Sequence, residues 1–326
     1  MWNFLIKINK RLVVVIPMMM AAGYLAGIGM EEGTVGQLKS LIMPFTFLMV
    51  YPMMITLNIA HLKQGVSLRL QLATQAINFA VIPFFAYGVG MLFFPAQPYM
   101  ALGLLLAALL PTSGMTISWT GFARGNLAAA INMTVIGLTL GSLATPFYVQ
   151  ALLGTRVEMD FGLVARQIAI IVFLPMLFGY FTRQWFLQRY GQEAFKTIWA
   201  PRFPSLSTIG VLGIVFVAIA LKAKGLAANP GILGMILVPL LLIYGVNFAL
   251  STLVGKLFFP RGDAIALVYG TVMRNLSIAL AIAVNAFGAA GADTALVIAL
   301  SYIVQVQAAA WYVKLTERIF GPPQAA

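Results

Sequence analysis

The chain has 326 residues, of which 61% are hydrophobic and 9% charged, with a mean hydropathy of +0.96. A soluble domain of this length wraps its core in a polar shell, and charged residues usually make up about a quarter of such a protein; here lipid must be the solvent for most of the surface. The net charge of +12 does not describe a nucleic-acid binder, because the basic residues are strung through short loops between apolar runs; with no cysteine and a single histidine, His61, no thiolate nucleophile and no histidine-based metal site or triad can be built.

Backbone amides in hydrocarbon must be bonded internally, so each apolar run is expected to be a helix of about 20 residues. Ten such spans are expected, near residues 12–29, 41–60, 72–94, 99–122, 127–153, 164–182, 206–221, 232–255, 264–287 and 294–313. The first resembles a signal peptide in following Lys7, Lys10 and Arg11, but its length and the spans after it make it a retained helix. The longest expected linker, residues 183–205, carries Pro201 and Pro204 and four basic residues between the sixth and seventh spans. Counting basic residues by side places Lys7, Lys10, Arg11, Lys63, Arg69, Arg124, the basic residues of that linker, Lys256, Arg261, Lys314 and Arg318 in the cytoplasm. Lys39, Arg156, Arg166, Lys222 and Lys224 fall on the other side. Both termini are then expected to be cytoplasmic, in a multi-pass protein of a bacterial or archaeal inner membrane.

The two halves echo each other. Leu92-Phe93-Phe94-Pro95 closes the third span and Leu257-Phe258-Phe259-Pro260 the eighth; Pro17-Met18 with Gly23-Tyr24 in the first span is answered by Pro175-Met176 with Gly179-Tyr180 in the sixth. Five spans per half is an odd number, so the second half enters the membrane upside down. The expected organisation is therefore all-α, with an inverted repeat over residues 1–160 (helices 1–5) and 161–326 (helices 6–10).

Two interruptions carry the chemistry. Pro111-Thr112-Ser113-Gly114 breaks the fourth span, where proline removes a donor and glycine loosens the turn. Val272-Met273-Arg274-Asn275 interrupts the ninth at the equivalent place. A proline kink is the plain alternative at the first break, but its recurrence in the fourth span of each half favours a pair of discontinuous helices that cross at mid-membrane. All eight acidic residues fall in loops or at span ends, which leaves Arg274 as the one charge expected inside the hydrocarbon, at roughly 3 kcal/mol on insertion scales. Either it bonds carbonyls freed by the break, or it neutralises an anionic substrate with help from the positive ends of the half-helices that follow. Thr112, Ser113, Gly114, Asn132, Asn275 and Ser277 are the other candidates for that substrate site. Asn247, Thr120 and Gln305 are further polar residues on the spans that could converge there, although a buried threonine in such a helix usually bonds its own backbone.

At these breaks the chain resembles the bile acid:sodium symporter superfamily, which includes the arsenite-efflux permeases, over nearly its whole length. The stretches that carry the likeness are residues 111–126, ending Ala123-Arg124-Gly125-Asn126, and Met273-Arg274-Asn275 followed by Ile278 to Ala283 and Phe287-Gly288. Leu48 to Pro52 and the Asn78 to Pro83 spacing resemble the permease branch. The resemblance implies a panel domain (helices 1, 2, 6, 7) and a core domain (helices 3–5, 8–10). It also places Arg274 at a sodium-ligating glutamine, Gly270 at a glutamate, and Thr116-Ile117 at a Ser-Asn pair. Thr116, Thr134, Asn78 at a third-helix glutamine, and Met273 through its backbone remain as ion-ligand positions. The permeases' thiolate position falls at Thr112 and their glutamate at Ser277.

The expected function is secondary transport of a small organic anion by alternating access. Symport of bile-acid-like or other organic acids, with sodium sites built from carbonyls, is the alternative, and arsenite-type efflux without the thiolate a further one. No cofactor is expected; sodium or a proton is the possible coupling ion, and the lipid bilayer and the anionic substrate the partners, with no nucleic acid and no required protein. An enzyme would need a nucleophile, base or metal ligand in the membrane, and the spans offer no histidine, cysteine or carboxylate.

Overall fold

In the computed structural model, residues 2–31, 34, 37–56, 67–157, 160–288 and 290–322 are described. The end of the second expected span, His61 and Lys63 in the basic loop after it, and Glu32 and Glu158 lie outside them. Among the described residues the secondary structure is helical with no strand. The helices are α1 (Trp2–Lys10), α2 (Leu12–Gly29), α3 (Ile42–Thr56), α4 (Leu68–Phe93), α5 (Pro98–Leu109), α6 (Gly114–Phe122) and α7 (Leu127–Leu153). They continue as α8 (Phe161–Trp199), α9 (Arg202–Ala228), α10 (Gly231–Phe258), α11 (Arg261–Val272), α12 (Leu276–Ala286) and α13 (Gly291–Phe320). Six of these, α4, α7, α8, α9, α10 and α13, are long and apolar enough to cross a membrane by length and composition.

Two compact units divide the chain. The first comprises residues 1–57, 158–234 and 277–299. Small residues set its helix spacing: a Cβ added to Gly27 of α2 would lie 2.3 Å from the Ala220 carbonyl oxygen of α9, and one on Gly210 of α9 2.4 Å from the Met49 nitrogen of α3. Such backbone-to-backbone approach is how helices associate where lipid removes the hydrophobic drive between them. The second unit comprises residues 58–157, 235–276 and 300–326. Here Gly90 of α4 faces Ala101 of α5, and Gly255 of α10 faces Ala264 of α11, each with a built Cβ 3.1 Å from the alanine Cβ.

The stretch 183–205, expected as a linker from its prolines and charges, is helical on both sides of a break. Helix α8 is interrupted at Gly191 (φ +80°), a second helical piece continues to Trp199, and α9 starts three residues later. Aromatic side chains hold it: the Phe186 ring lies 4.8 Å from Trp199 and 5.5 Å from Phe203. Pro201 is the N-cap of α9 and Pro204 lies in its first turn, where a missing N–H costs nothing.

Candidate functional site

The two expected breaks meet inside the second unit. Between α5 and α6, residues 110–113 leave the helix; between α11 and α12, residues 273–275 do. The two segments pass antiparallel and pair through a single isolated bridge, with Pro111 opposite Arg274. The Thr112 N–H donates to the Met273 carbonyl (2.7 Å) and the Asn275 N–H to the Leu110 carbonyl (2.7 Å). Each break therefore satisfies backbone groups that the other has freed. Thr112 takes φ +66°, a left-handed conformation that a β-branched residue adopts only under constraint. The constraint is visible: its Oγ1 donates to the carbonyls of Pro111 (2.6 Å) and Thr134 (3.2 Å). Close approach of α7 is possible because Gly137 and Gly141 face the break; a Cβ at Gly141 would lie 2.7 Å from Pro111 Cδ and 2.9 Å from the Leu109 carbonyl oxygen.

Helix α11 ends at the joint, and its last carbonyls need donors. Amide side chains on three other helices supply them for α11 and for the break that follows it. Asn78 Nδ2 of α4 donates to Gly270 O (3.0 Å), Asn247 Nδ2 of α10 to Thr271 O (2.9 Å), and Gln305 Nε2 of α13 to Arg274 O (3.3 Å). Gln305 Oε1 also accepts from the Arg274 N–H (2.8 Å) and the Tyr244 hydroxyl (3.0 Å), so one side chain clasps both polar groups of the Arg274 backbone.

The Arg274 side chain is 2% exposed. Its Nη1 donates to Asn78 Oδ1 (3.0 Å), while Nη2 has no hydrogen-bond partner among the described residues. No carboxylate forms an ion pair with it there; the ion pair found among those residues is Lys222 with Asp293 in the other unit. The guanidinium follows the C-terminus of α11, where the helix dipole favours a cation. It also borders a small cavity of about 10 Å³ lined by Leu104, Tyr244 and Asn247, large enough for roughly one water.

Thr112, Met273, Arg274, Asn275, Asn78 and Thr134 are thus joined by direct bonds, all six buried. Ser113 and Thr116 cap α6 instead: Ser113 Oγ accepts from the Met115 N–H (3.2 Å) and Thr116 Oγ1 from the Ser113 N–H (3.1 Å). Gly114, next in the chain, is exposed, with open space where a Cβ would point. Thr134 Oγ1 bonds its own helix at Ala130 O (2.8 Å). Asn132 is buried on α7, with no partner for its Oδ1 among the described residues, and no bond ties it to the joint. Ser277 is half-buried on α12 and belongs to the first unit. All four ion-ligand positions are thus engaged in internal bonds, and among the described residues no group of three or more His, Cys, Asp and Glu could hold a metal. The sequence offers Gln305 among the polar residues that could converge on the breaks, whereas nothing in it marks Tyr244. A glutamine in an apolar span was the signal, but which backbone it serves, 31 residues away, is set by packing.

The first unit holds an open pocket of about 640 Å³, lined mainly by Ile42, Ile214, Val217, Leu221 and Val284, with Gln167, Lys222 and Asn285 as its polar members. Lys222 Nζ lies 2.7 Å from Asp293 Oδ1, and Asn285 Nδ2 donates to Thr46 Oγ1 (3.2 Å).

Long apolar helices and a buried polar joint between broken helices are the marks of a membrane transporter. Residues 43–229 match the model of the Sodium Bile acid symporter family, and the chain belongs to that family. It is 27% identical over 207 residues to the protein YbaS of Bacillus subtilis, covering 63% of this chain and 66% of that one. It is 25% identical over 288 residues to the arsenical-resistance protein Acr3 of Alkaliphilus metalliredigens (83% and 80% of the two chains). The sodium-dependent transporter YocS of Bacillus subtilis is 24% identical over 252 residues (76% and 75%). The chain is accordingly a multi-pass membrane transporter of a family of transporters, not enzymes.

Proposed function

We propose that the chain is a secondary active transporter that moves a small organic anion by alternating access, and that Arg274 stands at its centre as a fixed cation. The observation that carries this reading is the buried guanidinium at the joint, held on one nitrogen by Asn78 and unpartnered on another among the described residues. A charge so placed persists only with something to satisfy it, either backbone dipoles or an anion. The substrate's anionic group is placed among Arg274, Asn275, Thr112, Ser113 and Gly114, with Asn132 and Ser277 as flanking contacts. The guanidinium also does the work of a coupling cation among Asn78, Thr116, Thr134 and Met273, so substrate binding needs no sodium.

The proposed architecture is ten membrane helices in two inverted repeats, residues 1–160 and 161–326, with both termini cytoplasmic. Helices 1, 2, 6 and 7 form the panel, and helices 3–5 and 8–10 the core that moves against it. What supports the repeat is the recurrence of one construction: a Leu-Phe-Phe-Pro turn beside a glycine-on-alanine helix contact at 3.1 Å, followed by a broken helix, in each half. Reporter fusions after Lys314 test the orientation.

The function is tested by uptake of radiolabelled organic acids into proteoliposomes, and by affinity for the transported acid in sodium and in choline. Wild type is expected to bind equally in both. Arg274→Gln is expected to bind at least about tenfold more weakly, or to acquire a sodium dependence, and Arg274→Lys to restore only part because the planar fork is lost. Strictly sodium-dependent binding by wild type, unchanged in Arg274→Gln, would overturn this reading in favour of symport through carbonyl-built sodium sites.

A further inference from the structure

The first part of α4 carries a polar face in the second unit. Thr74 and Gln75 lie three and four residues after Gln71, and four and three before Asn78, which puts all four on one side of the helix. The stripe begins two residues from Arg69, which is exposed, and ends at Asn78, whose Oδ1 holds the Arg274 guanidinium. Gln71 to Asn78 is a rise of roughly 10 Å at 1.5 Å per residue. The opposite side is apolar and outward: Leu72 is 62% and Phe84 51% exposed.

The two glutamines are the unusual members. Both polar atoms of Gln71 and both of Gln75 are buried, and none of the four has a hydrogen-bond partner among the described residues. Thr74 and Asn78 are satisfied, the first by the Leu70 carbonyl (2.8 Å) and the second by Gly270 and Arg274. A buried amide with its hydrogen bonds unmade is destabilising, and leucine at the same place would avoid that cost. Two glutamines one turn apart, leading towards a buried guanidinium, are placed where a passing solute or water can bond them. A π-helical turn over Ala76–Val81 carries Asn78 at the inner end, a local widening that recurs at functional positions.

From these we infer that the polar face of α4 is a hydrated path along which anions pass between the membrane face marked by Arg69 and the joint at Arg274. The inference rests on the organic-anion reading above and names its route. Amide N–H groups can donate to the oxygens of a carboxylate, and an arginine at each end of the path attracts anions and repels cations.

The chain contains no cysteine, so single substitutions report accessibility without background. Gln71→Cys, Gln75→Cys, the lipid-side control Leu72→Cys and the loop control Gln97→Cys would be labelled in membranes with two methanethiosulfonates, one carrying a sulfonate and one a trimethylammonium group. Labelling at 71 and 75 is expected to exceed that at 72. The sulfonate-to-ammonium rate ratio at 75 should exceed the ratio at 97 by about tenfold, and should fall to the loop value when Arg274→Gln is added. Rates at 71 and 75 no faster than at 72 would overturn the path as dry packing. Labelling without a charge preference would overturn its anion selectivity, while leaving organic-anion transport to the uptake assay. A second measurement guards against effects of labelling. Gln71→Leu with Gln75→Leu should leave substrate affinity and thermal stability at or above wild type and lower the uptake rate at least about tenfold, as loss of a route rather than of a binding site. Unchanged uptake would also overturn the inference.

Discussion

The two units use their polar groups in opposite ways. In the second, polar side chains are buried around a closed joint, and amides from α4, α10 and α13 converge on the end of one broken helix. In the first, the sizeable pocket is walled by aliphatic side chains, and its charged pair is partly solvated, with Lys222 29% and Asp293 34% exposed. The contrast teaches where substitution should be expensive. Buried polar atoms with single partners fail one at a time and at full cost, whereas a partly solvated pair can exchange its partner for water.

The contrast predicts a graded series, read by thermal unfolding of the protein in lipid nanodiscs. Gly141→Leu should be the costliest, at about 3 kcal/mol, because its new atoms would enter the Pro111 ring and the Leu109 carbonyl, neither of which can yield. A loss below about 1 kcal/mol would show the joint to be looser than its bonding implies. Gln305→Leu should follow at about 2–3 kcal/mol, since it strips partners from the Arg274 N–H and carbonyl and from the Tyr244 hydroxyl together. Thr112 sharpens the comparison further. Thr112→Val keeps the branched side chain at positive φ and loses the hydroxyl bonds, while Thr112→Gly loses the bonds but relieves the backbone. The glycine variant should therefore be the more stable of the two by about 1 kcal/mol; equal stabilities would mean that Thr112 is not strained. In the first unit, Lys222→Gln and Asp293→Asn should each cost less than about 1 kcal/mol, with a coupling that fades as salt rises. A coupling as large as the Gln305 effect would erase the distinction between the units.

Much of the second unit's joint was legible in the sequence, for physical reasons. Proline followed by Thr-Ser-Gly cannot continue a helix in lipid, and an arginine amid apolar residues has few places to be. The helical stretches were legible because hydrocarbon leaves the backbone little else to do. What stayed hidden depends on partners distant in the chain. Ser113 and Thr116 read as ligand positions, and that they also cap α6 is a local bonding choice that composition cannot settle. The prolines and charges of residues 183–205 read as a loop, because the ring packing that holds the helical pieces on either side of Gly191 depends on side chains turned towards each other in space. Gln71 and Gln75 were passed over, since two glutamines at the start of an apolar span look like an ordinary end.

The antiparallel pairing of Pro111 with Arg274 has a consequence for how this protein could change over time. Because the Thr112 amide uses the Met273 carbonyl and the Asn275 amide uses the Leu110 carbonyl, rewinding either break into continuous helix would strip buried polar groups of the other of their partners. Each intermediate with one break mended would be worse than either end state, so the two interruptions can be lost only together. In a double-mutant cycle this would read as strong epistasis. It would act as a ratchet against gradual loss of the joint, whatever cargo the surrounding side chains come to favour.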